Sequence, residues 1–324
     1  MKKIIATVGP SLLSEFPINK VHTGAQIYRI NGAHGTVDTI YGYIEKIRQQ
    51  VSDAEILVDL PGNKVRTANI DDGQIEIRLD EEFSLKFDQF NFPEFYKYLT
   101  PGDIVWANDS TFQFIVMNID VADEEIRFLS KSFGMLLNNK GMHVRGIHKH
   151  IPFLFSRDLE LIDIANEANI SYVGLSFVRN AADIQEARNL IQSEIELISK
   201  VETEAAVRNL NEILGIAEYI LVDRGDLSTE VGLEKVPKFQ QFIIEKALFH
   251  NRKVFLATQF LKNMEKLPIA TIPEVIDLYN TLQKGIYGIQ LSEETAVGSY
   301  PYECIQMIER ISNEIDNGVL SELK

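Results

Sequence analysis

Three charged side chains stand at the ends of two apolar runs. Lys200 and Glu202 lie in Ile198-Ser-Lys-Val-Glu-Thr203, and Asp226 lies in Ile220-Leu-Val-Asp-Arg-Gly-Asp-Leu-Ser228. Residues two apart on a strand project from the same face, so Lys200 and Glu202 should share one site. Carboxylates can hold a divalent cation while a lysine offers positive charge to an oxyanion. The pattern is typical of a metal-assisted enolate or phosphoryl site, and a surface ion pair is the alternative interpretation.

Other polar loops also follow apolar runs. Arg29-Ile-Asn-Gly-Ala-His-Gly35 could hold phosphate oxygens, and Asp59-Leu-Pro-Gly-Asn-Lys-Val-Arg-Thr67 adds two cations to an otherwise acidic chain. Thr258 and Ser292 begin two further loops of the kind that contacts a substrate in a barrel enzyme. Helix N-capping is the alternative role for both.

Short apolar runs alternate with helical patterns along most of the chain, which favours β/α units around a parallel sheet. Eight such units predict an α/β fold, a (β/α)8 TIM barrel, with the charged loops at the carboxyl ends of its strands. The predicted strands are Lys3–Val8, Ala25–Ile30, Glu55–Asp59, Tyr172–Ser176, Glu196–Lys200, Tyr219–Val222, Val254–Thr258 and Gly288–Leu291.

One region lacks helical periodicity. Between residues 68 and 148, alternating segments such as Phe112-Gln-Phe-Ile-Val-Met117 predict short strands. We therefore expect a β-rich lid domain at 68–148, inserted after barrel strand 3, and a barrel formed by 1–67 and 149–324. A domain attached at a strand's carboxyl end can cover the active site and exclude water, and an insertion without a catalytic part is the alternative.

Composition narrows the function classes. The 324 residues are 45% hydrophobic, which suits a barrel-sized core, and the formal net charge is -15. That charge argues against nucleic-acid or anionic-membrane partners, although a small basic pocket could bind phosphates. A single cysteine, the absence of a signal-peptide pattern and the absence of a long apolar run predict a soluble, cytoplasmic protein.

Seven motifs follow one another in order over nearly the whole chain. They are Lys3-Ile-Ile-Ala-Thr-Val-Gly-Pro-Ser11, Arg29-Ile-Asn-x-x-His-Gly35, Gly174-Leu-Ser-Phe-Val-Arg179, Ile198-Ser-Lys-Val-Glu202, Asp223-Arg-Gly-Asp-Leu227, Ala257-Thr-Gln259 and Leu291-Ser-x-Glu-Thr-Ala296. Together they resemble the barrel of the pyruvate kinase family. The resemblance stops where the family's C-terminal regulatory domain would begin. We therefore expect that domain to be absent and the kinetics to be hyperbolic, with a homodimer through barrel helices left open.

The resemblance implies a role for each matching residue. Glu202 and Asp226 would ligate Mg2+, or Mn2+ in its place, while Lys200 and Arg29 would neutralise charge on the phosphoryl group of phosphoenolpyruvate. The other matches would be Gly225, Asp226 and Thr258 for the substrate carboxylate, Ser292 for a proton-delivering water network, Pro10, His34, Arg66 and Lys140 for ADP or ATP, and Asn31 and Asp59 for the monovalent-cation site.

The nucleotide side departs from the family pattern. Val297 replaces a lysine that helps to bind ADP, and Glu293 replaces a glycine. Losing a cation and gaining an anion should weaken polyphosphate binding by about 1–3 kcal/mol. Three alternatives to an ordinary pyruvate kinase therefore stay open: a phosphotransferase with another acceptor, a lyase or aldolase with the same metal and enolate chemistry, and a catalytically silent binding protein.

The monovalent-cation site also departs from the family pattern. Ala33 and Leu60 stand where potassium-dependent relatives have a serine and a threonine, and Lys64 stands where they have a glutamate. A tethered ammonium can replace the charge of a bound cation, and decay of the site is the alternative. We predict activity without potassium. A strong rate increase when potassium is added to a sodium-free assay would contradict this.

Overall fold

The computed structural model describes residues 2–24, 26–108, 111–144, 146–147 and 150–316. The chain forms two compact units, one of Met1–Pro61 with Ser156–Lys324 and one of Gly62–Phe155. The predicted boundary at 67/68 lies inside the second unit, and that at 148/149 lies outside the described residues. Both boundaries stay predictions.

The first unit is a closed barrel of eight parallel strands surrounded by helices, so the predicted (β/α)8 fold is confirmed. Each barrel strand pairs with the next one along the chain, and the last pairs with the first. Predicted and observed strands differ by a residue or two at their ends, and Ala25 lies outside the described residues. The strands are β1 (Lys3–Thr7), β2 (Gln26–Asn31) and β3 (Glu55–Asp59) before the insert, and β11 (Tyr172–Leu175), β12 (Glu196–Lys200), β13 (Tyr219–Asp223), β14 (Lys253–Ala257) and β15 (Gly288–Leu291) after it.

Side chains inside the barrel change from apolar to polar at the last inward-facing position of several strands. Because alternate residues on a strand face the same side, a residue two positions beyond an inward apolar one also points inward. Five strands make this change, from Ile5 to Thr7, Ile27 to Arg29, Leu57 to Asp59, Ile198 to Lys200 and Leu221 to Asp223. The apolar layer is a packed core, and the polar layer above it can perform chemistry.

Several helices of this unit begin at polar caps. Thr36 accepts a hydrogen bond from the amide of Thr39 at the first helix, Asn180 caps the third, and Thr271 forms a capping box with Glu274 at the eighth. No helix within the described ranges is both long and apolar enough to cross a membrane. The helices are α1 (Val37–Gln50), α2 (Ser156–Ala168), α3 (Ala181–Arg188), α4 (Glu204–Arg208), α5 (Leu210–Ile216), α6 (Arg224–Val231), α7 (Val236–Phe249), α8 (Ile272–Gln283), α9 (Glu293–Ala296) and α10 (Pro301–Asp316).

The second unit is built from antiparallel strands, which fits the expected β-rich insert. A five-stranded sheet has the order β10-β6-β7-β8-β5, and β4 pairs with β9 in a separate ladder. Phenylalanines fill its core, among them Phe95, Phe114 and Phe128, which are fully buried. The strands are β4 (Gln74–Ile77), β5 (Glu82–Lys86), β6 (Ile104–Ala107), β7 (Phe112–Asp120), β8 (Glu125–Ser130), β9 (Gly134–Leu137) and β10 (Met142–His143).

The closure of the barrel between β15 and β1 requires a glycine at position 288. A Cβ atom there would lie 2.2 Å from the carbonyl oxygen of Lys3 and 2.8 Å from a ring carbon of Phe255. We predict that Gly288→Ala lowers the free energy of unfolding by about 2–3 kcal/mol, measured by chemical denaturation followed by circular dichroism.

Gly42→Ala is the matched control for this prediction. Gly42 lies inside α1, and a Cβ there would meet no atom within 4 Å. Because alanine favours a helix over glycine, this variant should be more stable than the parent by about 0.5–1 kcal/mol. Equal unfolding midpoints for the two variants would contradict the steric argument.

Candidate active site

The amino group of Lys200 lies among buried polar side chains at the carboxyl end of the barrel. Its Nζ donates to Ser176 Oγ at 3.0 Å and lies 3.3 Å from Glu202 Oε2. Asp59 Oδ2 and Asp223 Oδ2 lie 3.8 and 3.9 Å away. Lys200 and Glu202 therefore share one site, in agreement with their spacing in the sequence.

Burial and neighbouring charges act in opposite directions on these groups. Burial lowers the pKa of Lys200, but attraction to Asp59, Glu202 and Asp223 outweighs it, so the net pKa is raised and the ammonium form persists. Burial raises the pKa of Glu202 by more than Lys200 lowers it. Lys200 therefore stays positively charged, but its charge does not balance the negative charge of all the carboxylates around it.

Three carboxylates come close enough to share one cation. Glu202, Asp223 and Asp226 each present an oxygen within 4.8 Å of the others. Oε1 of Glu202 accepts the amide of Phe177 at 2.8 Å, whereas Oε2 is buried and accepts no hydrogen bond from the described residues. Oxygen donors of this kind suit Mg2+ or Mn2+, and a cation would offset the cost of burying them. These residues therefore fit a divalent cation.

Arg29 reaches the same cluster through Asp59. Its Nε and Nη2 donate to Asp59 Oδ2 at 2.8 and 2.5 Å, and its Nη1 donates to Thr7 Oγ1 at 2.9 Å. Burial raises the pKa of Asp59, but Lys200 and Arg29 together lower it below its ordinary value. Asp59 is thus an ionised link that fixes Arg29 and Lys200 beside each other.

The first turn of α6 forms another wall of the site. Asp223 caps this helix, and its Oδ1 accepts the amides of Gly225 and Asp226 at 3.0 and 3.4 Å. The Gly225 amide also donates to Thr258 Oγ1 at 3.0 Å. The two amides expected to hold a substrate carboxylate therefore point at Asp223 and Thr258.

A cavity of about 310 Å³ opens beside Arg29. It brings together Pro10 and His34, expected on the nucleotide side, Ser292, expected on the substrate side, and Asn31, expected at the monovalent-cation site. Glu293 and Val297, the two departures from the family pattern, line it as well. The exposed side chains of this wall therefore include an anion and an apolar group.

Three predicted site residues belong to the other compact unit and lie together there. The backbone of Arg66 pairs with that of Gly141, which follows Lys140 in the chain. A Cβ on Gly141 would lie 3.0 Å from Cε of Lys64. The β-rich unit thus carries a local group of three cations around Gly141.

Comparison with known proteins agrees with this geometry. The family model "Pyruvate kinase, barrel domain" matches residues 1–305 of the 324. The chain belongs to the pyruvate kinase family. It is therefore grouped with phosphotransferase enzymes, as the resemblance of its motifs predicted.

Individual relatives in the pyruvate kinase family cover almost the whole chain. A pyruvate kinase from Thermococcus litoralis is 32% identical over 96% of this chain and 68% of that protein. One from Thermotoga maritima is 30% identical over 97% of this chain and 71% of its own length. One from Sporosarcina psychrophila is 30% identical over 96% of this chain, which spans only 56% of that relative.

Asp223 is the site residue that sequence reasoning missed. The family resemblance pointed to Glu202 and Asp226 as metal ligands, and Asp223 was only part of a motif. Strand alternation carried the signal, because Asp223 is two residues beyond the inward Leu221 on β13. Its carboxylate caps α6, approaches Lys200 and completes the group of three acids.

We predict that Glu202→Gln and Asp223→Asn each weaken Mn2+ binding by about tenfold or more, because each removes an ionised oxygen ligand. Electron paramagnetic resonance of free Mn2+ measures this without turnover. Glu265→Gln is the control, since Glu265 belongs to a different acidic group and pairs with Lys262. Equal affinities for the control and the two site variants would contradict the assignment.

Proposed function

We propose that this chain transfers the phosphoryl group of phosphoenolpyruvate to ADP, giving pyruvate and ATP, with Mg2+ as its divalent cation. Membership of the pyruvate kinase family supports the reaction class. The single observation that carries the proposal is the buried cluster in which Lys200 lies within 4 Å of Glu202, Asp59 and Asp223. This cluster holds the charges that phosphoryl transfer from an enol requires.

Charge counting supports the binding of a divalent cation. Asp59, Glu202, Asp223 and Asp226 contribute four carboxylates, whereas Arg29 and Lys200 contribute two cations. A divalent cation would balance that difference and would supply Lewis-acid stabilisation to the phosphoryl and enol oxygens. Glu202 and Asp226, joined by Asp223, are the residues that would hold it.

The protein groups stabilise charge that develops during transfer. The bond between phosphorus and the enol oxygen breaks while a bond from an ADP oxygen to phosphorus forms, so negative charge grows on the departing oxygen. Lys200 is buried and held as an ammonium, which makes its attraction to that oxygen stronger than it would be in water. Arg29 would orient the phosphoryl group, because it lines the cavity and is itself fixed by Asp59 and Thr7.

The product enolate must then gain a proton on carbon. Thr258 and Ser292 follow neighbouring strands β14 and β15, and Ser292 lines the cavity. We assign Thr258, with Gly225 and Asp226, to the substrate carboxylate and Ser292 to proton delivery through water. Pro10, His34, Arg66 and Lys140 are assigned to the nucleotide. We assign Asn31 and Asp59 to the position of the monovalent cation in potassium-dependent relatives, and Lys64 to replacing the charge of that cation.

The decisive experiment measures pyruvate release from phosphoenolpyruvate with Mg2+, with and without ADP. We expect release that requires ADP and that falls by about 10²-fold or more in Lys200→Met, which keeps the side-chain length but removes the charge. Lys246→Met is the matched control, because Lys246 lies on the outer helix α7. Undiminished release in Lys200→Met would exclude the mechanism.

A specific observation favours a second candidate, a phosphotransferase with an acceptor other than ADP. Val297 is 63% exposed in the wall of the cavity, which Glu293 also lines, so these two side chains offer a polyphosphate no positive charge. If phosphoenolpyruvate binds with Mg2+ but ADP gives no turnover, this candidate replaces the first. Turnover with ADP at submillimolar concentration would exclude it.

A further inference from the structure

The two residues that follow strand β14 adopt an unusual backbone conformation. Thr258 and Gln259 have φ angles of +73° and +56°. A β-branched residue such as threonine rarely occupies this left-handed region, because its Cβ substituents crowd the backbone. Such a conformation persists only where neighbouring contacts hold it in place.

The guanidinium group of Arg224 supplies those contacts. Its Nε and Nη2 donate to the carbonyl oxygen of Thr258 at 3.0 and 2.5 Å. Its Nη1 donates to Asp277 Oδ2 on α8 at 2.7 Å, and its central carbon lies 3.8 Å from the centroid of the Phe260 ring. The planar guanidinium is therefore held by one acceptor at each of two edges and by the face of an aromatic ring.

The same threonine is tied to α6 by its side chain. Thr258 Oγ1 accepts the amide of Gly225 at 3.0 Å and lies 3.3 Å from Asp223 Oδ1. Arg224 is the residue between Asp223 and Gly225 in the chain. One segment, 223–225, thus holds both the carbonyl and the hydroxyl of Thr258, which fixes the end of β14 against the start of α6.

We propose that Arg224 is a positioning residue that holds Thr258 in its left-handed conformation and so sets the hydroxyl and amides that receive the substrate carboxylate. This inference rests on the proposed function for the identity of that carboxylate. Lysine cannot replace Arg224, because its compact ammonium cannot donate to the Thr258 carbonyl and to Asp277 in a fixed plane while stacking on the Phe260 ring.

The position of Arg224 determines which kinetic constant should change. Its guanidinium contacts the carbonyl beside the carboxylate site, and its hydrogen bonds and ring contact are made with Thr258, Asp277 and Phe260. Loss of its side chain should therefore weaken phosphoenolpyruvate binding and leave the ADP side alone. If Arg224 had a purely structural role, its loss would lower thermal stability and change the KM for phosphoenolpyruvate and the KM for ADP alike.

The test compares Arg224→Ala and Arg224→Lys with the parent chain in steady-state kinetics, with Mg2+ present. We expect the KM for phosphoenolpyruvate to rise by about tenfold or more in both variants and the KM for ADP to stay within about twofold. Guanidinium added below denaturing concentrations should lower the KM for phosphoenolpyruvate of the Arg224→Ala variant towards that of the parent chain, whereas ammonium should not. Arg208→Ala is the matched control, since Arg208 pairs with Glu204 on the surface of α4.

Specific outcomes would overturn the proposal. These are an unchanged KM for phosphoenolpyruvate, equal changes in both KM values, or a failure of guanidinium to act better than ammonium. If Arg224→Ala does not fold, Asp277→Asn takes its place, because it releases only one edge of the guanidinium. A smaller shift in the same KM then supports the proposal, and no shift overturns it.

A spectroscopic measurement separates this proposal from the proposed function. The methyl resonance of Thr258 in labelled protein reports its conformation without any substrate. It should move in Arg224→Ala and stay in place in Arg208→Ala, even if the parent chain neither binds nor consumes phosphoenolpyruvate. A resonance that does not move in Arg224→Ala overturns the positioning role, whatever the reaction is.

Discussion

The attraction between one buried ammonium and the carboxylates around it is the interaction on which the site depends. Lys200 is 5% exposed and Glu202 is fully buried, so neither can satisfy its charge with bulk water. The carboxylates keep Lys200 protonated, and Lys200 together with Arg29 lowers the pKa of Asp59 against the effect of burial. The cluster is still short of positive charge, which is why a divalent cation is a consistent ligand for it.

The barrel offsets the cost of burying this cluster by placing the charges in one layer. Each participating strand contributes an apolar residue to the packed interior and, two positions later, a polar residue to the layer above. Parallel pairing then sets the relative heights of these residues, as when Thr7 on β1 stands in register with Arg29 on β2. The strand ladder fixes the heights of side chains that are far apart in the sequence, so the geometry does not rely on flexible loops.

Much of this arrangement could be predicted from the sequence, because the patterns that determine it repeat over a few neighbouring residues. Alternating apolar runs indicated the eight barrel strands, and the loss of helical periodicity after β3 indicated the antiparallel insert. The shared face of Lys200 and Glu202 also followed from spacing alone, and their atoms lie 3.3 Å apart.

Interactions that join distant segments could not be predicted in this way. The hydrogen bonds from Arg29 to Asp59 and from Arg224 to Thr258 span 30 and 34 residues. No local pattern indicates which acceptor a guanidinium will contact. The left-handed conformation of Thr258 also contradicts the backbone preference of threonine. Asp223 was overlooked for a related reason, since the same aspartate acts as a helix cap and as a member of the acidic group.

The two sides of the proposed reaction differ in how firmly the fold determines them. Lys200 and Asp59 are on barrel strands and buried, and Glu202 is buried just beyond strand β12, so changing one of them leaves a buried charge without its partner. Val297 and Glu293 stand on the exposed wall of the cavity, where a substitution disturbs little packing. A family built on this barrel can therefore keep its enolate and phosphoryl chemistry while its acceptor side changes. Physical constraint, more than the reaction itself, therefore explains why Val297 and Glu293 could depart from the family pattern.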